Sequence, residues 1–305
     1  MTLVEQAIKI KDKINSKITF NEDLSKFSWF NLGGPAKIVF RPNSLKDLSF
    51  FLKKINTNNQ IKVLGAGSNT LIRDGGFDGT IIKFGKSFSH LSLLNDKVII
   101  SGAGSLDRQV SNFALNNSLS GFEFLSCIPG TIGGAIKMNS GCYDEDISKI
   151  LLSIQTIDLN GNIRIVPSSE IQFYYRGSNL DDDLIFISAT FRGKKSNKED
   201  IEKKMKNFLY RKKKAQPSKI KTCGSTFKNP KTKKAWQLIK ESGCNGMKVG
   251  NAQISNKHSN FFVNVGKASS TDLEELINKV RKNVFDHTGV KLELELQIIG
   301  ENVRI

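Results

Sequence analysis

Ile128-Pro129-Gly130-Thr131-Ile132-Gly133-Gly134-Ala135-Ile136-Lys137-Met138-Asn139-Ser140-Gly141 places four glycines and a proline inside an otherwise apolar run. Glycine lacks the Cβ that keeps other backbones away from a ligand, so bare amides here can close around phosphate oxygens. The stretch predicts contact with a diphosphate-bearing ligand. Taken alone, the same residues also suit a tight buried turn between two elements.

Two more glycine turns lie upstream. Gly65-Ala66-Gly67-Ser68-Asn69-Thr70 begins like a dinucleotide fingerprint, but Thr70 occupies the place of the third glycine. It runs into Leu71-Ile72-Arg73-Asp74-Gly75-Gly76, which reads as a turn. Gly102-Ala103-Gly104 follows a strand and precedes a helix, yet Asp107 stands where the last glycine belongs. Neither turn supports a Rossmann domain. Three such turns close together suggest one nucleotide cofactor wrapped by several loops.

Around them the pattern mixes strands and helices. Met1–Ile18 reads as an amphipathic helix without the apolar core of a signal peptide. Leu45, Leu48, Phe51, Leu52 and Ile55 follow helical spacing after a cap at Asn43 or Ser44. Strands are expected at Ile61–Leu64, Thr80–Phe84, Lys97–Ser101 and Leu184–Phe191, with a helix from Leu106 to Asn116. Ile150–Ile157 and Asn162–Val166 flank Asn160-Gly161, a hairpin signal because both residues tolerate positive φ. A basic helix over Asp200–Lys214 ends before Pro217. Beyond it, Thr271-Asp272-Leu273-Glu274 reads as a capping box, Gly289 as a helix stop, and Leu292, Leu294, Leu296 and Ile298 as one face of a final strand.

At 305 residues the chain can bury a large core and suggests two or three domains. No apolar run approaches the roughly 20 residues that span a bilayer. Cys127, Cys142, Cys223 and Cys244 form no Cys-x-x-Cys pair, and the three histidines are not at ligand spacing from one another. This argues against a metal site or a disulfide framework and predicts a cytoplasmic protein. The net charge of +17 is concentrated around Lys194–Lys221. That segment carries no recognised nucleic-acid motif, so it reads as a solvated basic surface.

Three later segments carry reactive groups. Arg176, in Phe173-Tyr174-Tyr175-Arg176-Gly177-Ser178, offers a guanidinium that can hold a carboxylate and stabilise charge building on it, or can simply sit beside a hairpin. Gly224-Ser225-Thr226-Phe227-Lys228-Asn229-Pro230 brings a hydroxyl, a cation and an amide into one loop, which a capped turn would also do. No histidine near Ser225 in sequence makes it a nucleophile. Glu295 alternates with leucines, so it lies on the solvent face of a half-buried strand unless that face lines a cleft.

Trp29-Phe30-Asn31-Leu32-Gly33-Gly34-Pro35-Ala36, Leu64–Asn69, Gly121–Leu125, Ile128–Ala135, Tyr175–Ser178, Gly224–Pro230 and Glu293–Glu295, in this order, resemble the UDP-N-acetylenolpyruvoylglucosamine reductase family. These are flavoenzymes of peptidoglycan precursor synthesis. The earlier segments mark a broader flavin fold and the later ones this reductase. Cys127 and Ser140 stand where glycine and alanine are usual, and Leu294 replaces a common proline; none removes a reactive group. The interval from Tyr175 to Ser225 is filled by a hairpin-like strand and the basic helix, with no obvious substrate-covering insertion, so the chain resembles the shorter form of the family and no lid tyrosine is carried over.

The resemblance implies an α+β architecture: a two-subdomain FAD-binding fold of the PCMH type, then a smaller α+β substrate-binding domain. The expected boundaries are 1–85, with the N-terminal helix, 86–212 and 213–305. It implies noncovalent FAD contacts at Gly65, Ala66, Gly67, Ser68, Asn69, Pro129, Gly130, Thr131, Gly133, Gly134, Ala135, Asn139 and Gly141. Tyr175, Lys228 and Asn229 would bind substrate. NADPH is implied as cosubstrate, passing hydride to the flavin before the enolpyruvyl nucleotide takes its place. Arg176 and Glu295 would stabilise the enolate-like intermediate, Glu295 as an acid whose pKa is raised in the closed site, and Ser225 would protonate the carbanionic carbon. The rival expectations are another FAD oxidoreductase of the same cofactor fold, or a basic nucleic-acid-binding protein, which would be colourless. The reading chosen has neither nucleic acid nor membrane insertion among its partners.

Overall fold

The computed structural model describes residues 1–55 and 60–303. Seven helices occur among them: α1 (Leu3–Lys11), α2 (Leu45–Lys54), α3 (Asp107–Asn116), α4 (Ile132–Lys137), α5 (Lys198–Ala215), α6 (Ala235–Glu241) and α7 (Ser270–Thr288). The chain divides into two compact units. One gathers Met1–Phe20, Ile38–Ala66 and Gly79–Lys212; the other gathers Asn21–Lys37, Gly67–Asp78 and Lys213–Ile305.

The first unit has two apolar cores. In one, α1 and α2 pack Leu3, Ala7, Ile10, Leu48, Phe51 and Leu52 against strand residues such as Ile38, Phe40 and Ile82. Phe40 and Phe51 stack with centroids 4.0 Å apart. The strands belong to a four-stranded sheet ordered Lys17–Asp23, Pro35–Arg41, Phe77–Ile82, Gln60–Val63. The other core lies on a five-stranded antiparallel sheet ordered Ile163–Pro167, Leu151–Ile157, Ile185–Arg192, Val98–Gly102, Leu91–Asn95. Val110 and Ala114 of α3 and Ile132, Ala135 and Ile136 of α4 are buried in it. The glycine-rich stretch thus contains a short helix whose apolar residues are pinned in a core.

The second unit packs α6 and α7 with the antiparallel strands Lys248–Val249, Ala252–Ile254 and Phe262–Asn264. Leu273, Leu276, Ile277, Val280 and Val284 form the buried stripe of α7, as their spacing predicts. Phe227 meets Phe262 nearly edge-on, with centroids 5.8 Å apart. Thr70–Ile72 and Gln297–Ile299 form a parallel pair in the same unit.

Most expected elements are present, with five differences. Leu71 and Ile72, expected in a turn, lie in the strand Thr70–Ile72 because their backbone pairs with Gln297–Ile299. The N-terminal helix stops at Lys11 because Lys17–Asp23 is taken up as a strand, its Ile18 buried. The 160–161 hairpin has only Gly161 at positive φ, +77°; Asp158 closes the loop through bonds with Gly161 and Asn162. The cap of α7 is Ser269, not Thr271. Its hydroxyl accepts from the Asp272 amide at 3.0 Å, and the Asp272 carboxylate accepts from the Ser269 amide at 3.0 Å. The last strand is confined to Gln297–Ile299; Leu292–Leu296 spends its backbone bonds on the loop at Thr226–Lys228 instead. The basic helix α5 buries only Ile201, Met205 and Phe208 and leaves most of its lysines solvated.

Ser269→Ala is expected to lower the stability of the protein by about 1 kcal/mol, whereas Thr271→Ala should change it by less than about 0.5 kcal/mol. Urea unfolding of the two variants checks this.

Candidate functional site

In the second unit the Gly224–Pro230 loop is fixed by side chains from elsewhere in the sequence. Asn260, fully buried, receives the Phe227 amide on Oδ1 at 3.0 Å and donates Nδ2 to the Phe227 carbonyl at 2.8 Å. Its own carbonyl accepts the Thr226 amide at 2.8 Å. The Cys223 thiol lies 3.5 and 3.4 Å from the carbonyls of Gly67 and Thr70. Gly224 reaches φ +80° with open space beside it. On this clamped backbone Ser225 is half-buried, and its hydroxyl makes no hydrogen bond among the described residues.

The same loop seizes the C-terminal segment. The Thr226 carbonyl accepts the amides of Glu295 and Leu296, at 2.9 and 3.3 Å, and the Lys228 amide donates to the Glu293 carbonyl at 2.9 Å. Asn69 donates Nδ2 to the Glu295 carbonyl at 3.0 Å and accepts the Gln297 amide at 3.0 Å. Ser225 and Glu295 are therefore held by one set of backbone bonds. Lys228 sits 3.8 Å from the exposed Glu293 carboxylate, and Asn229 Oδ1 accepts the amide of Ala235 at the start of α6. Burial follows the pairing: Leu292 and Leu296 are buried, while Leu294 and Glu295 are half-buried.

Arg176 lies in the first unit, in the two-residue turn joining Phe173–Tyr174 to Gly177–Ser178, at φ +60°. Its Nη2 donates to the Gly141 carbonyl at 2.9 Å, and the guanidinium covers the Tyr175 ring at 4.9 Å. Asn139, buried and itself at φ +38°, donates to the Tyr174 carbonyl at 3.2 Å and accepts the Ser148 amide at 3.1 Å. The end of the glycine-rich stretch thus builds and orients the Arg176 hairpin.

The start of that stretch is packed tightly. A Cβ on Gly65 would meet the Thr131 hydroxyl at 2.5 Å, and one on Gly130 would meet Asp107 Oδ2 at 2.6 Å. The amides of Ile132 and Gly133 are already given to the carbonyls of Ser105 and Ala103, at 2.9 Å each. By contrast, the consecutive amides of Gly65, Ala66, Gly67 and Ser68 meet no acceptor among the described residues. Gly67 takes φ +68°, and a Cβ there would collide with the Phe27 carbonyl, so only glycine fits.

Residues 36–166 match the profile of an FAD binding domain, and residues 216–299 that of the C-terminal domain of UDP-N-acetylenolpyruvoylglucosamine reductase. The reductase of Pelagibacter ubique is 51% identical over 97% of this chain and 99% of its own length. The reductase of Orientia tsutsugamushi (strain Boryong) is 42% identical over 95% of this chain and 96% of its own. The chain belongs to the UDP-N-acetylenolpyruvoylglucosamine reductase family. The crystal structure of the Thermus caldophilus reductase superposes with a TM-score of 0.82 at 30% identity, covering 94% of this chain and all of that one. The fold is accordingly α+β, with an FAD-binding domain of the PCMH type and the family's C-terminal domain.

The residues of this reductase-family chain fit FAD. Successive unpaired amides beside a glycine at positive φ are donors of the kind that hold a diphosphate. Lys83, whose ammonium donates to the Gly65 carbonyl, adds a cation at that loop. Burial and the nearby Arg41 charge pull Lys83 down to about 8. Lys83 was not singled out from sequence; its signal is a lone cation closing the apolar run Thr80–Ile82. Asn260 was also missed, and no local pattern marks it.

Asp107 is fully buried at the start of α3, and neither carboxyl oxygen has a hydrogen-bond partner among the described residues. Burial, the largest cause, raises its pKa well above 3.8. A carboxyl that binds its proton more tightly in the folded state favours folding fully below its unfolded value and loses that contribution as pH rises toward the folded value. Stability should therefore decline from about pH 4 upward through this group, and Asp107→Asn should remove that decline and unfold at higher urea near neutrality. Urea midpoints of both proteins across pH check it.

Proposed function

We propose that this chain reduces the enolpyruvyl group of UDP-N-acetylenolpyruvoylglucosamine to give UDP-N-acetylmuramate, with NADPH as electron donor, in the cytoplasm. The observation that carries the reading is the unpaired Ser225 hydroxyl on a loop whose Thr226 carbonyl also holds Glu295. A rigid, unoccupied hydroxyl is suited to proton delivery, since neither the backbone nor a competing bond must reorganise first.

The segments 1–85 and 86–212 would hold FAD and 213–305 would bind substrate. FAD, when bound, supplies the hydride chemistry between NADPH and the terminal methylene carbon. Gly65–Asn69 would receive the diphosphate on its amides. Pro129, Gly130, Thr131, Gly133, Gly134 and Ala135 would line the cofactor, and Asn139 and Gly141 would steady Arg176 beside it. Lys228, Asn229 and Tyr175 would bind the anionic and sugar portions of the substrate.

Negative charge develops on the carbon next to the attacked methylene and spreads into the carboxylate. Arg176 would stabilise it through its guanidinium, and Glu295, as the protonated acid, through a donated hydrogen bond. Ser225 would give its proton to the carbanionic carbon, which is basic enough to take one from a hydroxyl.

The purified protein should be yellow, bleach anaerobically with NADPH, and regain its colour when the enolpyruvyl nucleotide is added. Bleaching without recovery would favour a different flavin oxidoreductase. A colourless, nucleic-acid-binding preparation would defeat the reading altogether. Ser225→Ala is expected to leave bleaching nearly intact and to slow recovery by at least ~100-fold. Glu295→Gln should also act on recovery alone, by about 100-fold. Equal loss of both half-reactions in stopped-flow traces would remove the proton-donor role from Ser225.

A further inference from the structure

His258 is half-buried in the second unit, on the turn that leads into Asn260. Its Nδ1 accepts the Asn260 amide at 3.3 Å, and its carbonyl accepts the Phe261 amide at 2.9 Å. Only a neutral imidazole with its proton on Nε2 offers a lone pair at Nδ1. Two aromatic rings set the imidazole: Phe261, edge-on with centroids 4.7 Å apart, and Trp236 of α6 at 6.3 Å. Phe261 in turn pairs with Ser225 in an antiparallel bridge, and its carbonyl accepts the Ser255 amide at 2.8 Å.

We propose that His258 is a positioning residue for Ser225: its Nδ1 fixes Asn260, and Asn260 fixes the loop that carries the Ser225 hydroxyl. The inference rests on the reading of Ser225 as proton donor.

The chain of bonds is short. Nδ1 is the one acceptor that the buried Asn260 amide has among the described residues, so losing it strands a desolvated N–H. Asn260 also clamps both backbone groups of Phe227 and takes the Thr226 amide on its carbonyl. A shift at Asn260 therefore reaches Ser225 from its C-terminal neighbours and from its bridge to Phe261.

Protonating Nδ1 would set one N–H against another. Burial lowers the imidazole pKa from 6.5. The charged groups around it are turned elsewhere. Lys257 donates to the Lys213 carbonyl, Lys233 pairs with Glu241, Lys228 faces Glu293, and Lys234 and Lys240 are exposed. A base whose pKa is lower in the folded state stabilises fully above its unfolded value and loses that contribution as pH falls through the folded one. The clamp is thus intact at neutral pH and weakens as pH falls below 6.5.

The test compares three FAD-loaded proteins: wild type, His258→Asn, which keeps an acceptor near Nδ1 but does not titrate, and His258→Leu, which has none. Imidazole nitrogen NMR shifts of the wild type should show His258 neutral at about pH 7.5 with its proton on Nε2. Hydrogen-exchange protection of the Thr226, Phe227 and Asn260 amides, corrected for intrinsic rate, should fall at least ~10-fold from about pH 7.5 to about pH 5.5. His258→Asn should remove most of that fall, and His258→Leu should lack the protection throughout. Recovery of flavin colour with the enolpyruvyl nucleotide should follow the same order, while bleaching by NADPH stays unchanged. A proton on Nδ1 in the wild type, full protection in His258→Leu, or wild-type pH dependence of protection in His258→Asn overturns the proposal. Recovery indifferent to both variants overturns it as well. Failure of the Ser225 reading shows separately, as normal recovery in Ser225→Ala. The nitrogen shifts are read on the wild type, so the test does not depend on the folding of His258→Leu.

Discussion

One carbonyl, that of Thr226, receives both the Glu295 and Leu296 amides, and the placement of the candidate residues in the second unit depends on it. A strand with regular pairing would spread its bonds along its length and put Glu293 and Glu295 on one solvent face. Here the bonds converge on a loop, so Glu293 is left exposed while Glu295 is half-buried. The loop in turn is rigid because Asn260 replaces the missing ladder around Phe227, using both ends of its carboxamide. A buried amide that satisfies a donor and an acceptor at once is costly to replace, since either deletion strands a desolvated backbone group.

The first unit uses the same device with Asn139 and its hairpin. Bond by bond, the glycine-rich stretch acts mainly on the protein: it closes against Ala103 and Ser105 at one end and orients Arg176 at the other. Free donors lie at Gly65–Ser68, and within the stretch the amides of Thr131 and Gly134 also meet no acceptor among the described residues. A glycine pattern therefore marks two physical situations, an amide left bare for a ligand and a backbone brought close to its neighbour. Gly65 is both at once, with an unpaired amide and a Cβ position occupied by the Thr131 hydroxyl.

That dual meaning explains what was legible in the sequence. Periodicity carried α2, α3 and α7 and the strands around Asn160-Gly161, because a buried face repeats at the spacing of the element. The candidate reactive residues are named through their order along the chain and the family they resemble. The role of the side chains that hold them is not: Asn69 and Asn139 are named only as FAD contacts, and Asn260 not at all. Asn69, Asn139 and Asn260 bond backbone groups of distant or irregular segments, and no spacing encodes such a partner. The misplaced α7 cap has a nearer cause: Ser269, Ser270 and Thr271 all offer a hydroxyl, and only the reciprocal bond with Asp272 selects the first.

The second unit is assembled from three separated pieces of chain, and this orders its birth on the ribosome. Phe30, Leu32 and Leu71 emerge early but belong to a core whose remaining members arrive only with the last third of the polypeptide. Asn69 must wait 226 residues for the Glu295 carbonyl it holds. Thr70–Ile72 similarly remains an unpaired edge until Gln297–Ile299 has been made. Long-range closure of this kind is slow and leaves apolar strand exposed meanwhile. The nascent protein thus carries the apolar surface of Phe30, Leu32 and Leu71 without its core partners until the segment from Cys223 onward has been made.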